Sequence, residues 1–251
     1  MKSLIGLLFL FSGVICYSQT IMNIYEKDGK VTKIPTDRIE KITYEGNTVP
    51  VSQNTVTDAD GNVYQTITIG NQVWMAENLK TTRYNDGTPI KEQRDFDAWQ
   101  KEKTGAYCWV MNNQDTKNVY GALYNWHAVN TGKLCPKGWH VPTKQEWEML
   151  NSYLGSRESA AQMKEVGTTY WRTSPANVTN KTGFTARPAG KRFHATGKFE
   201  EIGKMAIWWA ATSANAGNAH FAVMYDNSAA MNTDNHSLSK ESGFSVRCIR
   251  D

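Results

Sequence analysis

Four cysteines and five histidines are the side chains here that could attack a substrate, carry a proton or hold a metal. The histidines (His127, His140, His194, His220 and His236) show no HExxH and no paired spacing, so a helical zinc site has no ligand set. No G-x-S-x-G elbow and no glycine-rich phosphate loop occurs either. Each histidine reads more simply as a strand or helix-surface residue than as a general base. Beyond Cys16, the cysteines Cys108, Cys135 and Cys248 stand far apart and form no metal cluster. In an exported chain they allow one disulfide and one leftover thiol. Asp58-Ala59-Asp60-Gly61-Asn62 carries half of a calcium loop but lacks the later carboxylates and the closing bidentate glutamate, so it reads as a turn. Asp226-Asn227 and Asn232-Thr233-Asp234-Asn235 offer oxygens to a cation, yet Asn and Asp are favoured in turns anyway. Neither a catalytic residue nor a bound metal or cofactor is expected.

The compartment follows from the start of the chain. Lys2 precedes an apolar run from Leu4 to Ile15, broken by Ser12 and two glycines, and Cys16-Tyr17-Ser18 places small residues at −3 and −1 before Gln19. Residues 1–18 therefore read as a secretory signal peptide, too short to span a bilayer. Acylation of Cys16 as a lipoprotein is disfavoured by Ile15, where a small residue is needed. The chain is expected to be secreted or displayed at the cell surface, or else periplasmic, and no later stretch suits a transmembrane segment. Removing Lys2 lowers the formal charge from +4 to +3, and the charges are interleaved. Lys27, Lys30, Lys33, Arg38 and Lys41 alternate with Glu26, Asp28, Asp37 and Glu40, so no basic stripe for nucleic acid exists. Nine Trp and eleven Tyr suit either a β-rich core or a surface that binds by aromatic contact, and burial is the commoner use.

The elements that would position these residues can be taken in order. Residues 19–45 read as a small β unit: Met22, Ile24 and Val31 flank Lys27-Asp28-Gly29-Lys30, a strong hairpin signal. Thr36–Ile39 reads as a single turn and Ile42 with Tyr44 as a third strand; residues 46–53 form a linker. The main domain, 54–251, opens with hairpins around Asp60-Gly61 and Gly70-Asn71. Phe96 and Trp99 suggest a short amphipathic turn, and Ala106–Val110 a strand carrying Cys108. Leu123, Trp126 and His127, at i, i+3 and i+4, predict a helix over Tyr120–Val129. Trp139-His140-Val141 predicts a strand. Thr143 and Glu146 have capping-box spacing, and Trp147, Leu150 and Leu154 give the following helix one apolar face. A short helix is expected around Ala160–Lys164, then a loop-rich stretch to Gly190 with Phe184 as core. Ala219–Tyr225 alternates as a half-buried strand. In Gly243–Ile249, Phe244, Val246 and Cys248 fall on one face and Ser245, Arg247 and Ile249 on the other.

Several stretches then add up: DGNVYQTITIGNQVWMAENLKTTRYNDG, GAYCW, YGALYNWHAV, GKLCPKGWHVPTKQEW, GFTARPAG, WWAATS and GFSVRCIRD. Together, and in this order, they resemble the Fibrobacter succinogenes major paralogous domain family (FISUMP) over roughly residues 54–251. The resemblance implies an exported protein of bacteria in and around the Bacteroidetes. It also implies an α+β, C-type-lectin-like fold (mixed short-stranded sheets with two or three helices) behind a small β-hairpin unit. That fold is shared with formylglycine-generating enzymes. In it, the Trp139–Val141 strand runs antiparallel to Phe244–Ile249, which brings Cys135 to Cys248. A disulfide there stabilises by about 4–5 kcal/mol in the chain-entropy model, and Cys108 stays buried and free. The chain departs from the family pattern at Arg187, where members carry Leu before Pro, and at Ile207, where an aromatic is usual.

The resemblance implies recognition more than catalysis. Formylglycine-generating enzymes use a cysteine pair near the C-terminus, and only Cys248 is there. Calcium-dependent lectins use Glu-Pro-Asn or Gln-Pro-Asp loops with Trp-Asn-Asp, and neither is present. The expected role is therefore a non-catalytic module that binds an extracellular glycan or protein through its C-terminal loops. By the resemblance, the ligand face takes in Trp209, Asn215, Asn218, Asn227, Asn232 and Asn235, since amides bond adaptably and aromatics give contact area at low entropic cost. For the Trp208-Trp209 pair itself, burial is the preferred reading. A structural subunit pairing through the edges of the N-terminal unit is the alternative; a formylglycine-generating-enzyme-like oxidoreductase ranks below it.

Overall fold

The structure, a computed structural model, describes residues 21–25, 30–35, 55–234 and 236–251. The leader expected at 1–18 with Cys16, the turn expected at Asp28-Gly29, the elements expected over 36–44, the linker expected at 46–53 and Asn235 lie outside those residues. By its contacts the chain divides into two units, Met1–Val51 and Ser52–Asp251. In the first, β1 (Ile21–Tyr25) and β2 (Val31–Pro35) pair antiparallel from Ile21↔Pro35 to Tyr25↔Val31. The hairpin that the sequence predicts is therefore present in its two strands.

The second unit is mixed α+β, with many short strands and four short α-helices among the described residues. It opens with β3 (Thr55–Thr57), β4 (Val63–Ile69) and β5 (Gln72–Met75), consecutive antiparallel neighbours. Next come β6 (Lys91–Glu92), α1 (Phe96–Gln100), β7 (Ala106–Trp109), α2 (Lys117–Tyr120), β8 (Ala122–Tyr124) and α3 (Trp126–Val129). Strands β6, β7 and β8 make a three-stranded sheet. After β9 (Trp139–His140) and α4 (Lys144–Tyr153), a long irregular stretch leads to the paired β10 (Lys191–Arg192) and β11 (Phe199–Glu200). Four strands follow: β12 (Met205–Ser213), β13 (Asn218–Tyr225), β14 (Met231–Asn232) and β15 (Ser237–Ser239), all arranged around β13. Finally β16 (Ile249–Arg250) inserts between β5 and β9, giving the sheet order β3-β4-β5-β16-β9.

The expected junction of β9 with the closing segment is present. Ile249 pairs with His140 and Arg250 with Trp139, antiparallel. Cys135 and Cys248, just before each strand, are bridged across 113 residues with Cα atoms 5.9 Å apart. Cys108 is buried and free. Helix α4 starts as its sequence dictates: the Thr143 hydroxyl accepts from the Glu146 N–H and the Glu146 carboxylate accepts from the Thr143 N–H. Its face buries Trp147 and Leu150 against Trp74, whose ring lies 4.8 Å from that of Trp147. Burying a side chain such as Leu150 contributes about 2 kcal/mol. All nine tryptophans are buried, so the indoles build the core and none forms an aromatic binding surface.

Three expectations need correction. Residues 120–129 are not one helix. Gly121 at φ +72° ends α2, Ala122–Tyr124 pairs with β7, and the Asn125 side chain then caps α3 by accepting from Ala128 N–H. A strand partner far along the chain overrode a helical spacing of apolar residues. Residues 160–164 form turns rather than a helix, with Lys164 bridging to Ala186 in parallel. The closing segment does not alternate, because Ser242 to Ile249 is buried on both faces, Ser245 and Arg247 included. The loop-rich stretch also buries Trp171, which no apolar periodicity marks as core.

Two buried cations organise these irregular segments. Lys164 Nζ donates to the carbonyls of Tyr225, Asp226 and Ser228. Arg192 donates to those of Gly197, Gln93, Arg94 and Asp95, with its guanidinium 4.4 Å from the Trp99 ring centre. Backbone oxygens that would otherwise be buried without donors are thereby satisfied.

Candidate functional site

Among the described residues, those expected to form a ligand face do not come together at one place. Trp209 is fully buried, stacked on Phe244 at 4.1 Å, with its indole N–H donating to the Tyr124 carbonyl at 2.8 Å. It is a core residue. Asn215 sits in the β12–β13 turn, where its side-chain oxygen accepts from the Gly217 and Asn218 N–H groups, both at 2.9 Å. Asn218 starts β13 opposite Ser239. Asn227 lies exposed beyond the other end of β13, and Asn232 faces Val223 in β14. Asn218 and Asn227 lie at opposite ends of the eight-residue β13, on the order of 25 Å apart, with Asn232 between them opposite Val223, so no single small ligand spans the set. The Asp58–Asn62 segment is a closed turn. The Asp58 carboxylate accepts from the Asp60 and Asn62 N–H groups, the Asn62 amide and the Tyr64 hydroxyl.

A different place does gather polar groups. A cavity of about 290 Å³ opens between the residues after β5, helix α2, the Thr185–Arg187 loop and the closing segment. Its wall carries Glu77, Asn78, Lys80, Lys117, Arg187 and Arg247. Gly121 makes the wall possible: a Cβ there would meet the Leu79 carbonyl at 2.7 Å and Asn78 Cβ at 2.8 Å, and its φ of +72° suits glycine alone. Asn78 is the hub. Its side-chain oxygen accepts from Trp208 Nε1 at 2.8 Å and from Arg247 Nε and Nη2 at 3.2 and 2.8 Å. Its amide donates to the Tyr120 carbonyl at 2.9 Å and the Ser245 hydroxyl at 3.3 Å.

Arg247 is 1% exposed and lies 3.9 Å from the Phe184 ring centre, with Nη1 donating to the Phe184 carbonyl. Among the described residues it has no ion-pair partner. Burial pushes its guanidinium down to about 9; the charge of Glu77 works against that fall and the charge of Arg187 adds to it. Arg187 is raised, chiefly by its hydrogen bonds to Glu165 at 2.5 and 3.0 Å, and it sits 4.5 Å from the Tyr170 ring centre. Lys80 donates to Asn118 at 3.2 Å and lies 3.7 Å from Glu77. Lys117 has no ion pair among the described residues; its ammonium rests 5.8 Å from the Trp109 ring centre. The wall is therefore net positive, and the field comes from both exposed and desolvated charges.

No histidine or cysteine belongs to this wall. His140 is held elsewhere, between Asp251 at 2.7 Å and Glu146 at 2.9 Å. Burial pushes the Cys108 thiol up to about 12, the opposite of an activated nucleophile. Sequence reasoning missed Asn78 and Arg247 as site residues. Arg187, one of the two departures from the family pattern, was the one available signal, and it does lie in this wall.

The comparisons with known proteins agree with the motif resemblance. The Fibrobacter succinogenes major domain family model matches residues 67–250, and the chain belongs to that family. No curated protein and no solved structure matches it.

Proposed function

We propose that residues 54–251 form an exported, non-catalytic recognition module with a C-type-lectin-like fold, which seats part of an extracellular glycan or protein in the Arg247 cavity. The observation that carries this reading is the cavity itself, a polar recess with buried, oriented donors and a rigid aromatic backing. Its wall holds one carboxylate, Glu77, and neither a thiol nor an imidazole, a set suited to binding rather than bond-making. The Cys135–Cys248 bridge favours an oxidising compartment, consistent with the leader at 1–18. The bridge also occupies the cysteine that an oxidoreductase reading would require. Among the described residues no helix is long and apolar enough to cross a membrane.

A glycan and protein array, with and without chelator, tests the proposal. Retention of a ligand that survives chelation and is lost in Asn78→Ala supports it. Retention that persists in Asn78→Ala but disappears in Asn215→Ala or Asn227→Ala would return the site to the hairpin loops.

A further inference from the structure

We infer that the cavity takes the acidic group of an anionic sugar, engaged in bidentate fashion by Arg247; this rests on the recognition reading above. A guanidinium carries five N–H donors. Arg247 spends three of them, two on the Asn78 oxygen and one on the Phe184 carbonyl. One N–H on Nη1 and one on Nη2 remain without a protein acceptor, and because Arg247 is 1% exposed an anion must shift a wall side chain to reach them. Two such donors match the paired oxygens of a carboxylate, and charge-assisted pairs of this kind are the strong ones. A desolvated cation with donors to spare is costly when empty, so an arriving anion relieves a penalty as well as forming bonds.

The rest of the wall points the same way. Lys117 has no acidic partner among the described residues, and Lys80 shares Glu77, so an anion finds a favourable field at the mouth. Gln65, Asn118 and Thr185 add amides and a hydroxyl, the groups that read ring hydroxyls. At about 290 Å³ the recess has room for one sugar ring and not for a folded segment.

Calorimetric titration of the full chain with glucose, glucuronate and inorganic phosphate tests this. Glucuronate should bind about tenfold or more tightly than glucose, the difference expected from hydrogen bonds to a charged group. The preference should shrink in high salt and in Lys117→Gln, and Arg247→Lys should bring glucuronate near the level of glucose. Lys117 is partly exposed, so its variant keeps the test open if Arg247→Lys fails to fold. Equal binding of glucose and glucuronate would overturn the acidic assignment and leave recognition standing. Phosphate binding as tightly as glucuronate would overturn the sugar assignment. Glucuronate binding unchanged in both variants would show that the site lies elsewhere. Binding of none of the three overturns the inference, while the array result still decides the recognition reading.

Discussion

Arg192 and Arg247 are chemically the same residue placed in two kinds of interior. Both are almost fully buried, both lie against aromatic rings, and neither has an ion-pair partner among the described residues. Arg192 directs its donors at four backbone carbonyls from two loops and closes on itself. Arg247 meets only two acceptors and borders a cavity. A buried cation with four of its five N–H groups on carbonyls is a tie between loops; one with only three engaged, beside open space, is a group waiting for an anion. Burial alone therefore does not separate a structural arginine from a recognising one. The count of engaged N–H groups does.

The largest effect tests what holds Arg247 in place. Replacing Cys135 and Cys248 together by Ala should cost about 4–5 kcal/mol in urea unfolding, in the chain-entropy model for so long a loop. A loss under about 1 kcal/mol would mean that β9 and β16 hold the segment unaided. Next, Arg192→Met strands four carbonyls, and a loss of about 3–5 kcal/mol is expected by analogy with breaking a buried polar partnership. Arg247→Met should cost only about 1 kcal/mol, because it also removes a desolvated charge and leaves the Asn78 oxygen bonded to Trp208. Equal losses from the two substitutions would mean that both arginines act as structural ties. Asn78→Ala should fall between them at about 2 kcal/mol, with a changed near-ultraviolet signal as Trp208 loses its acceptor.

The smallest effect comes from a cation that does have acidic partners. His140 is raised above its ordinary 6.5: burial lowers it, but the hydrogen bonds and charges of Asp251 and Glu146 outweigh that. A folded value above the unfolded one means the stabilisation is complete below about pH 6.5 and fades as pH rises through the folded value. Partial exposure and salt screening keep it under about 1 kcal/mol. Unfolding midpoints of the chain and of His140→Gln should converge at alkaline pH; a gap that widens there would contradict the sign.

What was legible in the sequence was whatever is encoded locally. The cap at Thr143 and Glu146, the turns at Gly61 and Gly70, and the apolar face of α4 depend on neighbours within one or two turns. The Cys135–Cys248 pairing came from the motif resemblance. The helix expected over Tyr120–Val129 failed because β8 finds its partner in β7, and no periodicity within that stretch reports a distant strand. Arg247 failed for a related reason. Alternation locates a strand with one face in water, whereas this segment has β5 and β9 beside it, Trp208 on one side and Tyr124 on the other. The asparagine-rich turns misled in the opposite sense, since the composition that suits a binding loop also suits any tight turn.

The insertion of β16 between β5 and β9 has a consequence for biogenesis. Every other strand of that sheet leaves the ribosome first, yet the place between β5 and β9 stays vacant until the segment around Val246 to Arg250 emerges. During translation, the edges of β5 and β9 wait unzipped, and Trp74 and Trp139 lack the neighbour that seals them. Until that segment docks, the seam stays open and prone to sticking to other nascent chains.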